Sequence, residues 1–167
     1  NTKNLHFIDT KFYGTDNIAI WLKNKNITLS NCLIAGGGFN CYTADNEYDR
    51  TKFLNCKFTA DEKYNGKDAD YQNALFDFTG QNPYFSNCTF ISNNASVKLP
   101  TSTSGATYLN CFFKQNGNTA VALTKGTFIG INIFDIVTGQ NDLSGSIFIN
   151  SINDLNNKII GVTISEN

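Results

Sequence analysis

The chain has no methionine, one tryptophan, one histidine and two prolines in 167 residues, and Arg50 is its single arginine. Charged residues make up only 16%, well below an ordinary domain. Asn, Ser, Thr and Gly must therefore cover the surface in place of ion pairs. A net charge of −1 offers no attraction to nucleic acid or to an anionic membrane. No run of eighteen apolar residues occurs, which excludes a transmembrane helix. Neither a signal peptide nor an initiator methionine is seen. The chain is accordingly expected to be a processed product, an excised domain or part of something longer. His6 reads as a surface residue near the start, with neither a Ser-His-Asp triad nor a metal-histidine cluster built around it.

Aromatic residues are plentiful, with 14 Phe and 7 Tyr, and they fall into a repeat. Its clearest copy is Phe53-Leu54-Asn55-Cys56-Lys57-Phe58. The frame is apolar, any, Asn, small or apolar, any, apolar. It returns at Leu29–Ile34, Phe85–Phe90 and Tyr108–Phe113. Degenerate copies lie at Phe7–Phe12, Phe128–Ile133 and Phe148–Ile152, with a short last one at Ile159–Ile164. Taking Thr10, Cys32, Cys56, Cys88, Cys111, Ile131 and Ser151 as phase markers, the period is roughly twenty-odd residues, in the solenoid range. One long step separates Cys56 from Cys88.

Each copy is strand-like on both sides of a corner. The corner falls on Asp9, Asn31, Asn55, Asn87, Asn110, Gly130, Asn150 and Gly161. These residue types tolerate a left-handed backbone at least cost. The frame predicts an all-β solenoid of about seven coils that bends at the same place on every coil. Stacked amides at the bend can hydrogen-bond along the stack.

This pattern resembles the right-handed, single-stranded parallel β-helix superfamily, which includes pectate-lyase-like proteins and phage tailspikes. The resemblance runs from about Leu5 to Ile164 and implies three short parallel strands per coil with an asparagine ladder at one turn. The enzyme signatures of that superfamily do not accompany it. Asn-x-Asp, Asp-Asp and Gly-His-Gly motifs are missing, and the one Arg-x-Lys, Arg50-Thr51-Lys52, starts in what reads as a loop rather than on a strand.

Five cysteines in a chain of this size suggest a disulfide framework. The repeat argues for free thiols instead: Cys32, Cys56, Cys88 and Cys111 share one inward phase on coils about 5 Å apart. Disulfides between neighbours stay open if the protein is exported. Residues 1–167 read as one β-helix domain or a segment of a longer chain. A large insertion is expected at 59–73 and an irregular last coil at 153–167. No amphipathic capping helix is evident, so a neighbouring domain or a trimer partner is expected to cover the open ends. Ala35-Gly36-Gly37-Gly38 reads as a turn, since no Lys-Ser/Thr follows to make a phosphate loop.

Counting back from each corner puts Ile20, Cys41, Phe76, Val97 and Val121 in one inward column. Trp21, Tyr42, Asp77, Lys98 and Ala122 then form an outward one. Aromatic faces stack on sugar rings, and carboxylate and ammonium groups bind hydroxyls or sugar acids. Trp21, Tyr42, Asp77 and Lys98 are thus the candidate substrate-binding set; the competing reading buries Trp21 and Tyr42 under a loop or at a subunit contact. Candidate catalytic carboxylates are Asp45, Glu47, Asp49, Asp61, Asp70 and Asp77, with Glu62 and Asp68 nearby. A glycosidase needs two such groups at a defined separation, and solvated loops are the competing reading. Clustered oxygens between Asp61 and Asp70 could bind Ca²⁺ but lack the EF-hand spacing; no cofactor is expected, with Ca²⁺ in that loop as the alternative.

The chain is expected to be a carbohydrate-binding β-helix of a phage tailspike or another cell-surface-recognition fibre. A polysaccharide depolymerase, hydrolase or lyase, is a possible extension of that reading. Its partners would be an extracellular or cell-surface polysaccharide and further copies of itself, a trimer first, on a virion or in the extracellular space. The alternative is a non-catalytic structural or adhesive solenoid.

Overall fold

In a computed structural model the chain is all-β. The structure describes residues 4–14, 20–22, 27–35, 39–42, 51–60, 76–79, 83–92, 101–102, 106–115, 126–136, 146–152 and 163–165. In chain order the strands begin with β1 (His6–Ile8), β2 (Lys11–Tyr13), β3 (Ile20–Leu22), β4 (Thr28–Ser30), β5 (Leu33–Ala35) and β6 (Phe39–Tyr42). Next come β7 (Lys52–Leu54), β8 (Lys57–Ala60), β9 (Phe76–Thr79), β10 (Tyr84–Ser86), β11 (Thr89–Ser92) and β12 (Thr101–Ser102). The last are β13 (Ala106–Leu109), β14 (Phe112–Gln115), β15 (Gly126–Ile131), β16 (Ile133–Ile136), β17 (Ile147–Ile152) and β18 (Thr163–Ser165).

They form three stacks in which sequence-distant strands are neighbours. The first runs β1-β4-β7-β10-β13-β15-β17-β18, the second β2-β5-β8-β11-β14-β16 and the third β3-β6-β9-β12. The recorded pairings are parallel, for example Phe53 with Phe85 and Phe85 with Tyr108. A parallel stack whose successive strands are one repeat apart is the arrangement of a β-solenoid.

The corners explain why the chain turns where it does. Asp9, Asn31, Asn55, Asn87 and Asn110 all have φ between 52° and 55°, and Gly130 has 73°. Only Gly, Asn and Asp visit this left-handed region routinely; other residues pay roughly 1–2 kcal/mol there. The asparagines also bond along the stack. Asn55 Nδ2 donates to Asn31 Oδ1 at 3.3 Å, and Ile131 N donates to Asn110 Oδ1 at 2.8 Å. A Cβ at Gly130 would run into Asn110 Oδ1, so glycine serves there for room as well as for φ.

Inward residues stack like upon like. One aromatic column is Phe53–Phe85–Tyr108–Phe128, with ring centroids 4.9, 5.2 and 5.0 Å apart and nearly parallel planes. The other is Phe58–Phe90–Phe113–Phe134, at 4.9, 5.1 and 4.9 Å. Within each rung the two columns meet edge to face, as between Phe85 and Phe90 at 5.1 Å and 79°. Offset stacks and T-contacts of this kind add about 0.5–1.5 kcal/mol each beyond burial. These eight rings are all at most 1% exposed.

The structure departs from the repeat count in several places. The phase marker expected at Ile131 is Asn132, because one extra residue follows the Gly130 bend. Phe112 pairs with Ile133, and the register of β15 against β17 shifts between Ile129 and Ile131. Ile131 is consequently 54% exposed while Asn132 is fully buried. Asn150 lies inside the continuous strand β17 and not at a bend. The last copy is displaced: Ile164, rather than Ile159, pairs with Phe148. Thr59 and Ala60 belong to β8, which shortens the expected insertion at its start. The remainder of that insertion, together with Gly161, lies outside the described residues.

Two measurements check this account. In chemical denaturation, Asn55→Val should destabilise by about 1–2 kcal/mol through backbone strain, and Asn55→Gly by clearly less. Phe90→Ala should cost about 3–5 kcal/mol, against a much smaller loss for Phe90→Leu.

Candidate functional site

The third stack is where sequence reading placed the binding face, and the structure describes its backbone pairing. Trp21 lies in β3, Tyr42 in β6 and Asp77 in β9. Trp21 pairs with Asn40, Asn40 with Asp77, and Asp77 with Thr101. The ladder is therefore Trp21–Asn40–Asp77–Thr101 and replaces the expected Trp21–Tyr42–Asp77–Lys98. Tyr42 sits two residues further along β6 and pairs with Thr79. Lys98 lies outside the described residues, and the strand that meets Asp77 is Thr101–Ser102.

The physical reason is that loops of unequal length precede each corner. Counting back from the corner assumes equal loops, whereas strand pairing is set by the hydrogen-bond ladder. Trp21 and Asp77 remain on one ladder, two rungs and hence about 10 Å apart along the stack. Asn40, which sequence reading did not select, stands between them. Only its register could have revealed it. Asp45, Glu47, Asp49, Asp61, Glu62, Asp68 and Asp70 lie outside the described residues.

The other two stacks show their outer faces. His6 is exposed, and its Nε2 lies 3.1 Å from Ser30 Oγ. Lys11, Lys52 and Lys57 are exposed. Lys114 Nζ meets Asp135 Oδ2 at 2.9 Å with both side chains about two-fifths exposed or slightly less, so the pair adds little stability. Exposed apolar side chains stand in both early and late rungs: Ile8 and Tyr13 are 56% and 65% exposed, and Ile131, Ile133 and Ile147 are 54%, 44% and 43%. Among the described residues no group of three or more His, Cys, Asp or Glu side chains could hold a metal ion, and no helix is long and apolar enough to cross a membrane.

Inside, Cys32, Cys56, Cys88 and Cys111 are free and buried, stacked on consecutive rungs. Each thiol reaches two backbone carbonyls, one in its own rung and one in the rung before. Cys56 Sγ donates to Leu54 O and Leu29 O, both at 3.4 Å; Cys88 Sγ donates to Ser86 O at 3.5 Å and Phe53 O at 3.4 Å. Asn132 meets the same demand: its Nδ2 donates to Ile129 O at 3.0 Å and Tyr108 O at 3.5 Å, and its Oδ1 accepts from Cys111 N at 2.9 Å. Burial is the main force pushing up the Cys32 and Cys88 thiols; for Cys56 the hydrogen bond with Cys88 leads and burial follows. Burial also raises the Tyr108 phenol, with the neighbouring Cys111 adding to it. A thiolate aimed at two carbonyl oxygens is unfavourable, so these sulfurs are poor nucleophiles.

The linkage has a definite sign. The folded state holds the Cys32, Cys56 and Cys88 thiols protonated, while the unfolded chain releases protons as pH rises through the unperturbed thiol value of 9.0. Their contribution is complete below about pH 9 and is lost above it. Denaturation curves should therefore show stability falling from pH 9 upward, with a shallower fall in Cys88→Ala. A thiol reagent at pH 8 should leave all four sulfurs unmodified in native protein and label them once the chain is unfolded.

No protein-family model, curated protein or solved structure matches the chain.

Proposed function

We propose that the chain is a right-handed parallel β-helix of about seven coils whose third stack binds an extracellular polysaccharide, as part of a phage tailspike or a comparable cell-surface-recognition fibre. The observation that carries this reading is the Trp21–Asn40–Asp77–Thr101 ladder. It sets an aromatic residue, an amide, a carboxylate and a hydroxyl at rung spacing along one strand stack. Sugar chains present ring faces and hydroxyls at regular intervals, and a ladder of this composition supplies the matching groups. The scarcity of charge agrees with a surface that works by hydrogen bonding and stacking. Tyr42, two residues further along β6, and Lys98 belong to the same proposed surface. In this reading the fibre is a homotrimer on a virion or in the extracellular space, with no metal or cofactor. A depolymerase activity would draw on Asp77 together with carboxylates among Asp45, Glu47, Asp49, Asp61 and Asp70.

A second reading, a non-catalytic adhesive or structural solenoid, is favoured by the exposed Ile131, Ile133 and Ile147. Ile131 and Ile133 stand close together beside the Gly130 bend, and neighbouring exposed apolar side chains suit a protein contact.

A glycan array separates the two. The binding reading expects retention of one polysaccharide class, reduced at least tenfold by Trp21→Ala and by Asp77→Ala in variants whose circular dichroism is unchanged. Absence of binding, or binding indifferent to both substitutions, defeats it. Release of reducing ends or of unsaturated sugar from a bound polysaccharide would add the depolymerase activity.

A further inference from the structure

The outer face of the first stack carries polar groups that the fold does not use. Outward residues on one ladder are, in order, Thr28, Lys52, Tyr84, Thr107 and Thr127. They stand one rung apart, about 4.8 Å. Lys52 is exposed and the other four are half-buried. Their strands β4, β7, β10, β13 and β15 each have a paired strand on both sides. The exposure therefore belongs to the sheet face and owes nothing to either end of the stack. Among the described residues, no hydrogen bond or ion pair engages the Lys52 ammonium or the hydroxyls of Tyr84, Thr107 and Thr127.

A second outward column runs beside the first: Ser30–Leu54–Ser86–Leu109–Ile129, all half-buried. Strand by strand, the face pairs Lys52 with Leu54, Tyr84 with Ser86, Thr107 with Leu109 and Thr127 with Ile129. Polar tips thus line one side and mostly aliphatic groups the other. The charge is also one-sided. Lys52 and Lys57 are both exposed, on the two sides of the Asn55 corner. No Asp or Glu occurs in β4, β5, β7, β8, β10 or β11. A chain of net charge −1 consequently presents a locally positive rung here.

We propose that this face is a second binding site and that its ligand is an acidic polysaccharide, a chain of hydroxyl-bearing rings with a carboxylate on some of them. The Lys52 ammonium meets the carboxylate, with Lys57 adding to the attraction. The Tyr84 ring takes the apolar face of the next sugar, while its hydroxyl stays free to bond at the rim. Thr107 and Thr127 donate to and accept from ring hydroxyls, and Leu54, Leu109 and Ile129 lie against C–H edges. The ratio of groups selects the ligand class. One ammonium stands on this ladder beside four hydroxyls, which suits a polymer of sparse charge and many hydroxyls. A nucleic acid carries a charge on every unit and would call for cations on successive rungs. The site lies on a different stack from the Trp21–Asn40–Asp77–Thr101 ladder and does not depend on it.

Affinity electrophoresis of the whole chain through gels holding alginate, hyaluronate or polygalacturonate tests the proposal, with uncharged dextran as the reference. At least one of the three acidic polymers should retard the chain, and dextran should not. Lys52→Ala and Tyr84→Ala should each weaken that retardation by about tenfold, and Lys52→Arg should keep most of it. Lys114→Ala removes a cation from the second stack and should behave as the parent does. Trp21→Ala should also leave the retardation intact, which separates this site from the third stack. Circular dichroism establishes that each variant is folded. Retardation by none of the acidic polymers, equal retardation by dextran, indifference to Lys52→Ala or Tyr84→Ala, or an equal loss in Trp21→Ala or Lys114→Ala would each overturn the proposal.

Discussion

Everything in this fold depends on a left-handed residue recurring at one corner. With φ near 53° at Asp9, Asn31, Asn55, Asn87 and Asn110, the two strands of each rung leave the bend in the same relative direction. Successive rungs can then superpose and their amide and carbonyl groups can pair in parallel. The N–H of Asn55 bonds Ser86 O, that of Asn87 bonds Leu109 O, and that of Asn110 bonds Ile129 O. One backbone choice thereby fixes register. Register in turn decides which side chains lie above which. The stacked rings and sulfurs are consequences of the corner rather than separate devices.

The residue after the corner shows what the interior demands. Its slot faces two carbonyl oxygens, one from the same rung and one from the rung before. Those oxygens need a donor, and the slot is satisfied by chemistry more than by identity. Four thiols fill it with weak donors of the right size. Thr10 meets the local carbonyl alone, donating to Ile8 O at 3.0 Å. Asn132 meets both carbonyls and also takes up the N–H of Cys111. That is possible because the extra residue Ile131 widens the bend. The same insertion turns Ile131 outward and makes the exterior there apolar.

The sequence made the first two stacks legible because their information is local. Asn, a small residue and two flanking apolar residues span six positions, and no loop intervenes between Phe53 and Phe58. The third stack was far less legible. Its strands follow loops of unequal length, so counting back from the corner put Lys98 beside Asp77, where pairing puts Thr101. The same limit hid Asn40. At Ile131 the error was smaller, one residue, because a glycine bend can absorb an insertion that an asparagine bend in register does not show. The candidate site is thus harder to read than the core for a physical reason: it lies on the stack whose spacing the repeat does not encode.

The exterior follows different rules from the interior, although both hang on the same ladder. One outward column reads Ile8–Ser30–Leu54–Ser86–Leu109–Ile129–Ile149 along the first stack. A parallel column of the second stack reads Lys11–Leu33–Lys57–Thr89–Phe112–Ile133. Both are mixed over the early rungs and turn apolar over the late ones, whereas the column Tyr13–Ala35–Thr59–Ile91–Lys114–Asp135 ends on an ion pair; inside, two columns are aromatic or aliphatic and a third carries the thiols and Asn132. Backbone pairing is indifferent to what points outward, so this gradient is not required by folding. Chemistry that the fold does not require is where a solenoid carries its contacts.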